Sequence, residues 1–101
     1  MSQAARREDF IWVIVEKRGD QESFLGLTRE DGKTFILATE DRDQGMMLQG
    51  RLPQPEAGVQ RDLEAINKAR LLQQAQEEGM SVYMVDAQGH FLRQLGGDTE
   101  H

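Results

Sequence analysis

Apolar and polar positions divide the chain into short runs with changing period. Phe10-Ile11-Trp12-Val13-Ile14-Val15 is an unbroken apolar run. Ser23-Phe24-Leu25-Gly26-Leu27-Thr28 and Thr34-Phe35-Ile36-Leu37-Ala38 follow it, and all three read as strands. Gly19-Asp20 and Asp31-Gly32 join them as tight turns. If each turn is a two-residue loop, Arg18 faces Gln21, Lys17 faces Glu22 and Val15 faces Phe24. In the second hairpin Glu30 then faces Lys33 and Leu27 faces Ile36. This register puts Ile11, Val13, Val15, Phe24, Phe35 and Leu37 on one face. It puts Phe10, Trp12, Ile14, Leu25, Leu27, Ile36 and Ala38 on the other. A sheet wetted on one side alternates apolar and polar residues, and this meander does not, so both faces want cover.

The period changes at Thr39. Asp41 followed by Gln44 has the spacing of a capping box, and the early acids suit the positive end of a helix. A short helix is predicted over 42–50, carrying Met46, Met47 and Leu48. Pro53 and Pro55 end it and open a linker from Leu52 to Gly58. From Val59 to Glu78 there is no Pro or Gly, and Leu63, Ile66, Ala69, Leu72 and Ala75 recur every three residues. That spacing predicts one long amphipathic helix stopped at Gly79. Ser81–Asp86 and His90–Leu95 then flank Ala87-Gln88-Gly89 as a hairpin whose glycine takes positive φ.

The expected order is βββααββ. This is an α+β fold with a three-stranded antiparallel meander, a short helix, a long helix packed on one sheet face and a C-terminal β-hairpin. A single domain is expected over 9–95, with flexible ends at 1–8 and 96–101.

At 101 residues and 38% hydrophobic content the core is small, and stability is slim or shared with a partner. There is no cysteine, which removes disulfides, thiolate metal sites and Cys nucleophiles together. No apolar run is long enough for a membrane helix or a signal peptide, so the expected location is cytoplasmic. The net charge of −6, with basic residues scattered, opposes binding to nucleic acid.

Candidate chemistry is sparse. The only histidines are His90 and the terminal His101, and no serine sits in a nucleophile elbow. Asp-Arg-Asp at 41–43 suits helix capping better than cation binding, because the ligand set of a calcium loop is missing. No glycine-rich strand-to-helix loop offers a phosphate cradle. No catalytic, cofactor or metal residue is therefore assigned, and no cofactor is expected.

The leading expectation is a non-enzymatic interaction module that homodimerises through a sheet face or meets another protein there. Its candidate surface is Trp12, Ile14, Leu25, Leu27, Ile36, Met46 and Met47. A second reading makes the chain an acidic regulatory subunit or inhibitor that docks a basic partner through Glu40, Asp41 and Asp43. A third is a small-ligand carrier or enzyme with a pocket between the long helix and the sheet, near Tyr83, His90 or Arg93.

Overall fold

The structure, a computed structural model, describes residues 9–96. It is α+β, with two helices and seven strands in one mixed sheet. The strands are β1 (Phe10–Arg18), β2 (Gln21–Phe24), β3 (Gly26–Thr28), β4 (Thr34–Thr39), β5 (Val59–Asn67), β6 (Ser81–Val85) and β7 (Phe91–Gly96). The helices are α1 (Arg42–Arg51) and α2 (Lys68–Glu77). The flexible ends expected at 1–8 and in the C-terminal tail lie outside the described residues, apart from Gly96, which ends β7.

β1 is the centre. One of its edges pairs with β5 over nine rungs, from Phe10↔Asn67 to Arg18↔Val59. Its other edge is shared. β2 takes Val15 to Arg18, and β4 takes only Trp12↔Thr39 and Val13↔Ala38. Beyond those two rungs β1 and β4 diverge, and the intervening chain fills the opening. β2 runs antiparallel to β1, β3 runs antiparallel to β4, and β4 runs antiparallel to β1. The chain must therefore reverse between β2 and β3. The Leu25 amide ties that reversal to the Ile14 carbonyl at 2.7 Å. On the far side β6 runs parallel to β4, and β7 closes the sheet as β6's antiparallel neighbour.

The expected meander is thus a fork. Its first turn has the expected register: Arg18↔Gln21, Lys17↔Glu22 and Val15↔Phe24, with Gly19 at φ 61°. The second turn does not. Asp31 keeps a negative φ, so the type I′ turn, which needs two positive values, does not form. Instead Gly32 N–H donates to Arg29 O, Arg29 N–H donates to Lys33 O, and Gly32 alone takes φ 88°. This three-residue loop pairs Leu27 with Phe35 and Gly26 with Ile36. A shift of one residue turns every side chain of a strand over. Ile36 and Ala38 therefore lie with Ile11, Val13 and Val15, and Phe35 and Leu37 lie with Ile14.

The expected long helix is also corrected. Its first nine residues are β5, and only Lys68–Glu77 are helical. The unpaired amides and carbonyls along β1 need partners, and this non-local demand outweighs a modest helix preference. Asn67 ends the strand and caps the helix, its Oδ1 accepting from the Arg70 amide at 3.1 Å. Leu63 and Ile66, one stripe on a helix, point to opposite faces of the strand. Leu63 packs with the Ile14 cluster and Ile66 with the Ile11 cluster.

The helices cover opposite faces. α2 lays Leu71 and Ala75 on Ile11, Val13, Val15, Ile36, Ala38, Val82 and Met84. α1 lays Leu48 on Ile14, Phe35, Leu37 and Val85. The arrangement with a helix on only one sheet face is therefore replaced by a sheet sandwiched between two short helices. α1 begins as expected: the Asp41 carboxylate accepts from the Gln44 amide at 2.8 Å. Gly45 lets it sit down, because a Cβ there would stand 2.7 Å from Leu63 Cδ1 and 3.0 Å from Thr39 Oγ1.

Gly45→Val should lift α1 off Leu63 and Thr39 and cost about 2 kcal/mol in urea unfolding. Asn67→Ala should cost about 1 kcal/mol in the same measurement by removing the α2 cap. If 59–78 were one continuous helix, the same Asn67→Ala change would stabilise it.

Candidate functional site

β2, β3, β5 and β7 each pair with a single described strand, and the two longest of these, β5 and β7, are built differently. β5 carries Arg61, Asp62 and Glu64, and these are engaged in cross-strand pairs. Lys17 Nζ lies 3.0 Å from Asp62 Oδ2 and 3.4 Å from Glu64 Oε2, and Arg61 Nε donates to Glu16 Oε2 at 2.9 Å. The Asp62 hydrogen bond chiefly, and then that of Glu64, raises the Lys17 pKa. The Gln60 amide and then Lys17 hold the Asp62 carboxyl below the usual carboxylate range. Charges of this kind keep a long edge strand from pairing with foreign chains.

β7 has no such guard. It reads Phe91-Leu92-Arg93-Gln94-Leu95-Gly96, with one charge, and among the described strands it pairs only with β6. Phe91 is 52% exposed and Leu92 53%. Phe91 lies edge-on to Phe35, with centroids 5.3 Å apart, and 5.0 Å from Tyr83. Phe35 and Tyr83 are themselves 5.0 Å apart. This aromatic cluster lies on the α1 side of the sheet, and the exposed Leu27 sits opposite Phe35 on that side. α1 is only ten residues long and packs on Ile14, Leu37 and Leu63, so the margin of the face at Phe91 stays open to solvent.

The β6–β7 turn holds this margin in place. Asp86 Oδ1 accepts from the Gln88 amide at 2.9 Å and the His90 amide at 2.8 Å, and Oδ2 lies 3.2 Å from His90 Nδ1. Gly89 takes the positive φ expected of it, at 86°. The His90 amide is the main cause that holds the Asp86 carboxyl below the ordinary range, with burial opposing it and the Gln88 amide adding to it.

The candidate residues are scattered by this fold. Ile14 and Ile36 are buried, and Ile36 lies on the α2 side, away from Ile14. Trp12 and Leu25 are half-buried, and Leu27, Met46 and Met47 are exposed. Glu40, Asp41 and Asp43 are exposed but have local tasks. Asp41 caps α1, Asp43 lies in its first turn, and Glu40 Oε2 is 3.6 Å from Arg93. His90 is bound to Asp86 in an exposed turn, as a structural turn residue would be. The groove beside α2, about 320 Å³, is lined by Val13, Phe24, Ile66, Glu64 and Arg70 among others, and by none of Tyr83, His90 or Arg93. Among the described residues no three His, Asp or Glu side chains converge as a metal site. No described helix is long and apolar enough to cross a membrane.

Phe91 and Leu92 were not among the sequence candidates, and Tyr83 was named only for the pocket of the third reading. The signal for them was available as charge contrast: a six-residue closing strand with a single charge, against a 59–67 segment with several. No protein-family model, curated protein or solved structure matches the chain.

A folded-state pKa below the unfolded one contributes stability that is complete above the unfolded value and lost as pH falls through the folded one. Asp86 should therefore titrate below the ordinary aspartate range by NMR. Asp86→Asn should flatten the fall in stability between neutral and strongly acidic pH.

Proposed function

We propose that the protein is a cytoplasmic, non-enzymatic interaction module that takes an extended segment of a partner polypeptide along β7. One observation carries this reading: of the two longest strands with a single partner, β5 is fenced with paired charges, and β7 exposes Phe91 and Leu92 beside an aromatic cluster. Strand addition needs an unpaired backbone edge, which supplies main-chain hydrogen bonds. It also needs anchor points for alternate side chains, because successive residues of a strand point to opposite faces. β7 supports both. The ligand is an uncharged stretch about as long as Phe91–Gly96, with alternate apolar side chains reaching Phe91 and Tyr83 on the α1 side. The absence of cysteine from a chain of this size suits a reducing compartment.

A displayed library of random peptides tests this reading. The native protein should enrich peptides with alternating apolar residues. An enriched peptide should protect the β7 amides from hydrogen exchange. Leu92→Lys places a charge on the exposed edge at little cost to the fold. It should weaken binding by about tenfold or more. Equal binding by the Leu92→Lys protein, or protection confined to β5 or α2, would sink the reading.

A further inference from the structure

α1 is apolar on two opposite sides. Its inner side, Gly45 and Leu48, is buried against the sheet. Its outer side follows the spacing i, i+3, i+4, i+7, i+8: Asp43, Met46, Met47, Gly50 and Arg51, all exposed. Met46 is 49% exposed and Met47 61%. Neither Asp43 nor Arg51 forms an ion pair with another described residue. Nothing lies within 4 Å of where a Cβ on Gly50 would stand, so the backbone there is open to close approach.

We infer that this stripe is a self-complementary surface on which the α1 helix of a second copy packs antiparallel. The charges choose the occupant and its direction. Asp43 and Arg51 stand at opposite ends of the stripe, about 12 Å apart along the axis. A two-fold axis through Met47, perpendicular to the helix, brings Asp43 of each copy to Arg51 of the other. A parallel pair would set Asp43 on Asp43 and Arg51 on Arg51, and like charges oppose it. Met47 then meets its own counterpart on the axis, and Met46 lies beside it. Methionine side chains adapt to such a seam, and the bare backbone at Gly50 leaves room for them. Each residue contacts its partner's equivalent surface, as an isologous dimer requires. The contact spans one ten-residue helix, so the area is small and the dimer is weak and concentration-dependent. This surface is distinct from the β7 edge and does not depend on strand capture there.

Sedimentation velocity of the full chain from micromolar to millimolar protein tests this assembly, with far-UV circular dichroism confirming the fold of each variant. The native chain should show a reversible monomer–dimer equilibrium. Met47→Glu and Asp43→Arg should each weaken it by about tenfold or more. The double exchange Asp43→Arg with Arg51→Asp should restore it. That exchange places a cation at the helix N-terminus and an anion at the C-terminus, both unfavourable to α1 itself. Recovery of the dimer by it therefore reports intermolecular pairing and not helix stability. A native chain monomeric throughout the range would overturn the inference. So would a dimer that survives Met47→Glu and Asp43→Arg, or one that responds to Leu92→Lys alone.

Discussion

β1 imposes the constraint on which the other elements depend. Six consecutive apolar residues from Phe10 to Val15 put hydrophobic side chains on both of its faces, and its backbone presents two edges. Both edges must be hydrogen-bonded and both faces covered. The nine rungs to β5 satisfy one edge, and β2 and β4 divide the other. α2 covers Ile11, Val13 and Val15, and α1 covers Ile14. Full burial of each of these side chains contributes about 1.5–3 kcal/mol, so losing α2 alone would expose an amount comparable to the net stability of a small domain. The fork follows from the same demand. β4 leaves β1 after two rungs, and the vacated edge is paired because the Gly19-Asp20 turn lays β2 along it before the chain reverses at Leu25 into β3.

Local chemistry was legible in the sequence where one turn or one cap decided the outcome. Gly19-Asp20 needs positive φ at glycine alone, and the hairpin register that follows from it is the one observed. Asp41 and Gln44 mark the start of α1 correctly. Asp31-Gly32 was misread because the dipeptide is compatible with two loops. The three-residue loop from Arg29 to Lys33 has the construction of the one from Asp86 to His90, with glycine fourth of five and at positive φ in each. The second of these was read correctly because Ala87 and Gln88 offer no two-residue alternative. The difference of one residue at Asp31 decided on which face Ile36 lies, and so removed Ile36 from the expected interaction surface.

β5 and α2 were illegible for a different reason. Leu63, Ile66, Ala69, Leu72 and Ala75 follow a helical period, and no Gly or Pro interrupts it. Nothing local shows that β1 lacks a partner along one edge. Asn67 is the sole punctuation, and an asparagine inside a helical pattern is a weak stop unless its capping bond is seen. Paired charges were the other clue. Lys17 was matched to Glu22, its cross-strand neighbour on β2, yet it reaches Asp62 and Glu64 on β5. Opposite charges distant in sequence do not announce each other. Of the exposed apolar residues, Leu27, Met46 and Met47 were legible as candidates in the sequence. Phe91 and Leu92 were not legible, because the pattern of a hairpin does not say which of its strands lies at the margin of the sheet.

Short helices are what leave surfaces open in this fold. α1 shields Ile14 and Leu37 with its inner side, so it stops short of Phe91 and turns two methionines outward. The open sheet margin and the methionine stripe thus share one origin, although they lie on different elements. If two copies join through α1, the two β7 edges become parts of one molecule related by a two-fold axis. A partner bearing two extended segments then binds the second from an effective concentration set by its own linker, and even a short strand-pairing contact gains avidity without new interactions. The gain vanishes when the linker cannot span the two edges. Such an assembly would select partners by the spacing of their segments as well as by their sequence.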